Sequence, residues 1–239
     1  MRLYGKNSVL ERIKVAPGTI RKIYLQKKTN LSEIVKHLKE NNLKFESVEK
    51  KWFNQNYPGI HTQGILAEID EFEYAAYETI IKKCINKEAF PVFLDSVTDP
   101  QNLGAIVRTL ACMGKFSIVL PEHNSAQINE TVIRVANGGE NYVLIARIPN
   151  IATAVSRLKE KDIWVIGADV GGQEDIIDAE LNFPLAIVMG SEGKGIRPGI
   201  KKHLDFELSI SMEGSDLSYN VSIATAIFCY EVRKRAGDR

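Results

Sequence analysis

Short apolar runs alternate with amphipathic helical patterns along the chain from Pro91 onward. The run Leu185–Met189, apolar at every position, is typical of a strand that is covered on both faces. Between such runs, apolar residues recur at spacings of three and four, which is typical of helices with one buried face. The alternation predicts parallel β-α-β units, and hence an α/β domain whose parallel sheet has helices on both faces.

The elements of this domain can be placed along the sequence. The predicted strands are Val92–Asp95, Ser117–Leu120, Val143–Arg147, Ile163–Ala168, Leu185–Met189 and Phe206–Ile210. The predicted helices are Leu103–Met113, Asn129–Ala136, Ile151–Glu160, Arg197–His203 and Ser218–Arg235.

The first 70 residues predict a smaller α/β unit. Asn30, with Glu33 three positions later, is a capping pair that opens a helix running to about Asn41. Apolar residues at helical spacing over residues 70–89 predict a connecting helix. We therefore expect three parts, residues 1–70, 71–90 and 91–239. The other predicted elements of the small unit are a helix at Lys6–Ile13, strands at Ile20–Gln26, Phe45–Val48 and Gly64–Ile69, and a turn at Tyr57-Pro58-Gly59.

The net charge of +1 hides a basic N-terminal part. Residues 1–70 contain 13 Lys or Arg against 7 Asp or Glu, a balance of +6, and the remainder has 18 against 23, a balance of −5. Solvated lysines on a small unit would produce this pattern. A surface that binds nucleic acid would produce it too, because basic side chains near phosphates release condensed counterions. The candidates for phosphate contacts are Lys14, Arg21, Lys22, Lys27, Lys28, Lys50 and Lys51.

The composition is typical of a globular protein and argues against a membrane-spanning or metal-binding one. An apolar content of 44% and a mean hydropathy of −0.14 are ordinary for a globular protein. No window reaches the ~18 apolar residues of a membrane-spanning helix, and the N-terminus lacks the apolar stretch of a signal peptide, so we expect a cytoplasmic protein. Cysteines without CxxC spacing in apolar segments predict buried thiols, and scattered histidines predict no metal site. These residues are Cys84, Cys112 and Cys229, and His37, His61, His123 and His203.

Three loops that leave predicted strands are unusual, and ligands of open parallel sheets bind beyond the carboxyl ends of strands. The loop Asp99-Pro100-Gln101-Asn102 enters a helix that carries Arg108, although an Asx cap and a solvated arginine explain it equally. Residues 190–195 place three glycines around a glutamate, in a spacing that fits neither a Walker A loop nor the GxGxxG fingerprint. Residues 210–220 crowd polar side chains before the final helix, for which Ser218 is a candidate N-cap.

Together, in this order, the three loops resemble the motifs of the SpoU, or TrmH-type, 2′-O-ribose methyltransferases of the SPOUT superfamily. Motif one corresponds to residues 99–105 with Arg108, motif two to residues 189–195, and motif three to residues 210–212 with 218–222. The resemblance covers nearly the whole chain, since residues 1–70 look like the L30e-like RNA-binding domain of the RlmB-like branch. Tyr219 stands where the family usually has Leu, and Ser211 where it often has Pro, which bears on the shape of the cofactor pocket.

The resemblance implies a fold, a cofactor and partners. The parallel-sheet domain would contain a deep trefoil knot, the protein would be a homodimer, and S-adenosyl-L-methionine would be the cofactor, with no metal and no membrane. Backbone contacts to this cofactor are implied for Gly190, Ile210 and Tyr219. Further cofactor contacts are implied for Met189, Glu192, Gly193, Met212 and Asn220. The polar side chains expected around the reacting atoms are Asn102, Arg108, Glu192, Ser218 and Asn220.

Arg108 is the residue that the resemblance marks as catalytic. Because a guanidinium gives up a proton too reluctantly to be a good base, we expect Arg108 to bind the adjacent phosphate and orient the 2′-hydroxyl. Glu192 is expected to fix Arg108 or Asn102 through a charge-assisted hydrogen bond. The implied substrate is a guanosine in the P loop of 23S ribosomal RNA. Ribose methylation of tRNA is the alternative, and a non-catalytic RNA-binding protein would leave the three loops unexplained.

Overall fold

The computed structural model describes residues 1–191, 193–214 and 217–237. Its first sheet has four strands in the order β1, β4, β2, β3. Strands β2 and β3 are parallel neighbours, and the other pairs are antiparallel. We call residues 1–70 the N-terminal unit. Its elements are β1 (Arg2–Tyr4), α1 (Lys6–Val15), β2 (Ile20–Gln26), α2 (Ser32–Glu40), β3 (Glu46–Val48), α3 (Lys50–Asn56) and β4 (Ile65–Ile69).

The N-terminal unit matches the sequence pattern in part. The strand predicted at Ile20–Gln26 is confirmed at both ends. The predicted capping pair is wrong, because α2 begins at Ser32 and its cap residue, Leu31, makes no side-chain hydrogen bond. Strand β1 and helix α3 were not predicted, since three and seven residues are too few to show a clear period.

The second sheet has seven strands, and all its neighbours are parallel. Their order is β7, β6, β5, β10, β8, β11, β9. The predicted parallel sheet is therefore confirmed, and each predicted strand overlaps an observed one; only the two-residue β9 was missed. The strands are β5 (Phe90–Leu94), β6 (Phe116–Pro121), β7 (Leu144–Ile148), β8 (Trp164–Ala168), β9 (Glu174–Asp175), β10 (Leu185–Met189) and β11 (Phe206–Ser209).

Six helices accompany this sheet in the part of the chain that the structure describes. The connecting helix is shorter than predicted because residues 70–76 form no helix, and the Ala75 N–H donates to the Ile145 carbonyl at 2.8 Å. The last helix begins at Val221 rather than Ser218, α7 ends at Ser156 rather than residue 160, and α8 has a single turn. The helices are α4 (Tyr77–Ile85), α5 (Pro100–Met113), α6 (Glu130–Ala136), α7 (Ile151–Ser156), α8 (Pro198–Lys201) and α9 (Val221–Gly237).

Apolar side chains cover both faces of the parallel sheet. One cluster of buried residues includes Phe93 and Val165, and a second includes Phe90. The second cluster continues into the N-terminal unit through Val9 and Ile13 of α1. Full burial of each such side chain contributes about 1.5–3 kcal/mol. The two sheets therefore share a continuous core.

The cysteines correct one prediction. Cys84 and Cys229 are buried, as predicted, but Cys112 is exposed. Cys112 follows Arg108 by one turn of α5, on the face that points to solvent, whereas Leu110 points into the core. The apolar segment around Cys112 is thus one face of an amphipathic helix. None of the described helices is long and apolar enough to cross a membrane.

Candidate active site

A cavity of about 440 Å³ lies beyond the carboxyl ends of β8, β10 and β11. Strand β8 lies between β10 and β11 in the sheet, so the loops that follow these strands meet at one edge. Motifs two and three therefore share one cavity. The lining residues that the sequence predicted are Met189, Gly190, Gly193, Ile210, Met212, Ser218 and Tyr219.

The loop after β10 folds back on itself. The Ser191 N–H donates to the Gly195 carbonyl at 3.2 Å, and the Gly195 N–H donates to the Ser191 carbonyl at 2.9 Å. A Cβ atom on Gly190 would lie 2.2 Å from the carbonyl carbon of Gly195, a separation that real Cβ contacts do not show. The loop's own backbone therefore requires a glycine at position 190. Glu192 lies outside the described residues.

The segment after β11 forms a second wall of the cavity. Asp175 of β9 accepts hydrogen bonds from the Ser211 N–H at 2.6 Å and from the Ser211 hydroxyl. Burial raises the pKa of Asp175, but the hydrogen bonds from Ser211 and from the Ile177 N–H outweigh it and hold this pKa below its ordinary value. A proline at position 211 has no N–H to donate. The departure at Ser211 thus anchors the wall to the edge strand β9.

The first turns of α5 and α9 are joined by two carboxamides. The Asn220 Nδ2 donates to Asn102 Oδ1 at 3.0 Å. Asn220 Oδ1 also accepts from the Ser222 N–H at 2.8 Å, so Asn220, and not Ser218, caps α9. The alternative explanation of motif one, an Asx cap, also applies, because Asp99 caps α5 and accepts from the Gln101 N–H at 2.9 Å. Motifs one and three therefore meet through side chains, although neither asparagine lines the cavity.

Arg108 lies apart from these groups in the single chain. It follows Asn102 by six residues of α5, which places it about 9 Å along the helix axis and ~120° around it. Its side chain is exposed, is not part of the cavity lining, and makes no hydrogen bond or ion pair within the described ranges. The bond expected from Glu192 to Arg108 or Asn102 stays a prediction.

Besides Lys194 of motif two, the cavity is lined by two charged residues that the sequence did not predict, Asp169 and Lys201. The Lys201 Nζ lies 2.6 Å from Asp169 Oδ2 and 2.8 Å from Glu207 Oε2, and hydrogen bonds to these carboxylates raise the pKa of Lys201. Asp169 directly follows β8, so its position at a strand end was the signal that could have found it. Lys201 lies on α8 and has no such signal. Among the residues described, no three His, Cys, Asp or Glu side chains are grouped so as to hold a metal ion.

Asp95, an acidic residue at a strand end, stabilises the fold and does not line the cavity. Asp95 follows β5, and its side chain is fully buried. It accepts from the Arg197 Nε at 2.7 Å and from the Arg197 N–H at 3.0 Å. This charge-assisted pair ties the end of β5 to the segment that enters α8. Asp95 thus supports the loop after β10 from outside the cavity.

Part of the positive charge of the N-terminal unit is already neutralised. Lys28, Lys50 and Lys51 are exposed and form no ion pair with any residue in the described ranges. They follow β2 and β3, whose carboxyl ends lie side by side because these strands are parallel. The other four candidates for phosphate contacts form the ion pairs Lys14–Glu11, Arg21–Asp70, Lys22–Glu46 and Lys27–Glu49.

Comparison with known sequences identifies both parts of the chain. The profile of the SpoU rRNA methylase family matches residues 89–230. A profile described as RNA 2′-O ribose methyltransferase substrate binding matches residues 2–75. The chain is 34% identical over 237 residues to the putative TrmH family tRNA/rRNA methyltransferase YacO of Bacillus subtilis, covering 97% of this chain and 94% of that protein. A putative TrmH family tRNA/rRNA methyltransferase of Staphylococcus haemolyticus is 35% identical over 239 residues, with 98% and 95% covered.

Solved structures share the fold. A putative RNA methyltransferase of the TrmH family from Porphyromonas gingivalis superposes with a TM-score of 0.76 at 26% identity, over 98% of this chain and 89% of that one. The SpoU methyltransferase AviRb from Streptomyces viridochromogenes, in complex with AdoMet, superposes with a TM-score of 0.81 at 17% identity, over 100% and 91%. The sequence matches, supported by this common fold, show that the chain belongs to the SpoU rRNA methylase family.

Proposed function

We propose that the chain transfers a methyl group from S-adenosyl-L-methionine to a ribose 2′-hydroxyl of RNA. The observation that carries this proposal is the cavity in which motifs two and three meet. The family match over residues 89–230 supports the class of reaction, and the substrate-binding profile over residues 2–75 supports RNA as the substrate.

The cavity suits this cofactor in size and chemistry. Its volume of about 440 Å³ falls within the ~300–1,000 Å³ of small-molecule sites. Ile210 and Phe228 provide apolar walls, and the backbone of Gly190 is accessible without a side chain. Asp169 provides a carboxylate whose charge is paired with Lys201 at 2.6 Å. When bound, S-adenosyl-L-methionine supplies an electrophilic methyl group on a positively charged sulfonium.

We propose that the protein contributes to catalysis mainly by positioning the reacting groups with polar side chains. Ser218 lines the cavity and would orient the 2′-hydroxyl, while the Asn102–Asn220 pair holds the first turns of α5 and α9 in register. The exposed guanidinium of Arg108 would bind the phosphate next to that hydroxyl, and Glu192 would fix Arg108 or Asn102. Holding the reacting groups in line lowers the barrier without a strong base. The 2′-oxygen would take the methyl group as the bond to sulfur breaks, a neutral thioether would be left, and the hydroxyl proton would pass to solvent water.

The N-terminal unit is the proposed RNA-binding domain. In this assignment residues 1–70 bind RNA, residues 71–90 connect, and residues 91–239 form the methyltransferase domain, including the trefoil knot. Lys28, Lys50 and Lys51 are the proposed phosphate contacts, because their charges are not neutralised by carboxylates among the described residues. Phosphate contacts of this kind supply affinity and position the RNA without reading its sequence.

An exposed apolar surface at the start of α9 supports a homodimer. Leu217 is 76% exposed, and Ile223 and Tyr230 are more than half exposed. Ile223 and Tyr230 are seven residues apart and therefore lie on one face of α9. A second copy of the chain packed on this face would bury the exposed apolar side chains of Ile223 and Tyr230. We propose that a second copy of the chain covers it.

The proposed substrate is a guanosine in the P loop of 23S ribosomal RNA, as in the RlmB-like branch, and tRNA is the second candidate. The names of the two relatives mention both RNAs. Mapping 2′-O-methyl groups in ribosomal and transfer RNA from a deletion strain should show the loss of one P-loop site. Complementation with the Arg108→Ala variant should fail to restore it. Loss of a tRNA site would assign the second candidate, and unchanged ribose methylation in both RNAs would contradict the proposed reaction.

A further inference from the structure

The N-terminal unit contacts the methyltransferase domain at several places, and one of them is a short turn, residues 137–142, which we call the docking turn. Helix α1 packs against it. The Tyr142 hydroxyl donates to Glu11 Oε2 at 2.5 Å, and the Ser8 hydroxyl donates to Asn137 Oδ1 at 3.5 Å. The Glu11–Tyr142 contact is exposed, so it contributes little to fixing the two parts.

A buried ion pair lies at the centre of this contact. The Arg12 Nη2 is 3.1 Å from Glu140 Oε1, and the two side chains are 10% and 0% exposed. Burial raises the pKa of Glu140, and Arg12 and Asn141 only partly oppose this. Neither Glu140 Oε2 nor Arg12 Nε has a hydrogen-bond partner among the described residues. A well-packed pair of apolar side chains would stabilise such an interface at least as much as this ion pair does. The ion pair is therefore better explained by a role in fixing the orientation of α1 against the docking turn than by a contribution to stability.

The docking turn also touches the helix that carries Arg108. A Cβ atom on Gly138 would lie 2.7 Å from the Cβ of Glu11 in α1, and one on Gly139 would lie 3.0 Å from the Cα of Arg108. Two successive glycines thus allow one stretch of backbone to contact α1 on one side and α5 on the other. Displacement of the turn would therefore change both the position of the N-terminal unit and the backbone contact that the turn makes with Arg108.

We propose that Glu140 is a positioning residue for methyl transfer, which rests on the function proposed above. Through Arg12 it fixes α1 against the docking turn, and through that turn it fixes the RNA bound to the N-terminal unit relative to Arg108. Glu140 itself is buried and touches neither the cavity lining nor the proposed phosphate contacts. Loss of the Glu140 carboxylate should therefore disturb the alignment of the RNA with Arg108 more than the affinity for RNA or cofactor.

The test compares Glu140→Gln with a matched control, Glu130→Gln. Glu130 also joins the two parts, through an ion pair to Arg2 at 2.8 Å, but this pair is partly exposed and lies at the end of α6 that is remote from the docking turn. Under single-turnover conditions with saturating RNA and cofactor, Glu140→Gln should transfer methyl groups about 10- to 100-fold more slowly, the loss expected when reacting groups are misplaced by ~1 Å. Its Kd for RNA and for S-adenosyl-L-methionine should change less than about threefold, and Glu130→Gln should match the wild type.

A distance measurement makes the test independent of activity. Spin labels at the exposed native Cys112 and at an introduced Lys39→Cys report the separation of α5 and α2, in samples diluted with unlabelled protein. The wild type should give one narrow distribution of distances, and Glu140→Gln a broader one. If Glu140→Gln does not fold, Gly138→Ala disturbs the same contact from the turn and should broaden the distribution as well.

The outcomes separate the two proposals. A wild-type protein that methylates no RNA would refute the proposed function, whereas the width of the distance distribution still reports on the docking turn. A distribution in Glu140→Gln as narrow as that of the wild type, or a transfer rate within twofold of it, would overturn the role of Glu140. The role of Glu140 would also be overturned if the slower methyl transfer of Glu140→Gln were due only to thermal unfolding, so that the rate recovered on cooling.

Discussion

The loop after β10 offers a sharp prediction about cofactor binding. In Gly190→Ala, the new methyl group would lie 2.2 Å from the carbonyl carbon of Gly195, and an ordinary contact needs at least 3.4 Å. The difference, 3.4 − 2.2 = 1.2 Å, is the distance by which the loop must retreat. Because that loop lines the cavity, we expect cofactor affinity to fall about 100-fold, or ~2.7 kcal/mol. The strain should also destabilise the fold by about 1–3 kcal/mol.

Isothermal titration with S-adenosyl-L-methionine and with its demethylated product measures the affinity. Thermal unfolding measures the strain, at about 2–4 °C of Tm for each kcal/mol in a chain of this size. Gly199→Ala is the matched control, since a Cβ atom there meets no other atom within 4 Å. It should bind the cofactor like the wild type. An affinity of Gly190→Ala within threefold of the wild type would refute the idea that the shape of this loop sets the binding site.

Three further predictions concern other parts of the chain. Arg108→Ala should leave cofactor affinity unchanged and slow methyl transfer by roughly 10²–10³-fold, and Arg108→Lys should restore little of it, which single-turnover assays can check. Lys28→Glu with Lys50→Glu should flatten the log–log salt dependence of RNA binding by about 0.7 per lost single-stranded contact, whereas Lys22→Glu, already paired with Glu46, should change it less. In the native protein, Ellman's reagent should titrate Cys112 alone, because burial raises the pKa of Cys84 to about 12 and also protects Cys229.

The architecture of the parallel sheet was predictable because three of its strands, β5, β6 and β10, are buried along their length. Leu185–Met189 is apolar throughout, and the observed strand has those same ends. The loops that follow such strands must meet at one edge, and the family resemblance assigned Gly190 and Ile210 of these loops to the cofactor; both line the cavity. The weaker predictions were the helix ends, since side chains such as Asn220 decide them locally.

Contacts between distant residues were not predictable from the sequence. The pairing of Lys22 with Glu46 follows from the alignment of β2 with β3, and it removes a charge that the composition counts as free. Asp169 stands at a predicted strand end, but its pairing with Lys201 has no signal in the local sequence, and it lines the cavity because β8 lies beside β10. The Arg12–Glu140 pair joins residues 128 positions apart, so neither residue stands out alone. Such contacts depend on strand order and domain packing.

The most direct test of the proposed reaction is the chemical position of the transferred methyl group. Purified protein, S-adenosyl-L-methionine with a tritiated methyl group and ribosomal RNA that lacks the modification are incubated, and the RNA is then hydrolysed with alkali. A ribose 2′-O-methyl group blocks cleavage of the neighbouring phosphodiester, so we expect the label to appear in an alkali-stable dinucleotide. The Arg108→Ala variant should incorporate little label. Label in mononucleotides would show methylation of a base and would contradict the account, as would the absence of label from both ribosomal and transfer RNA.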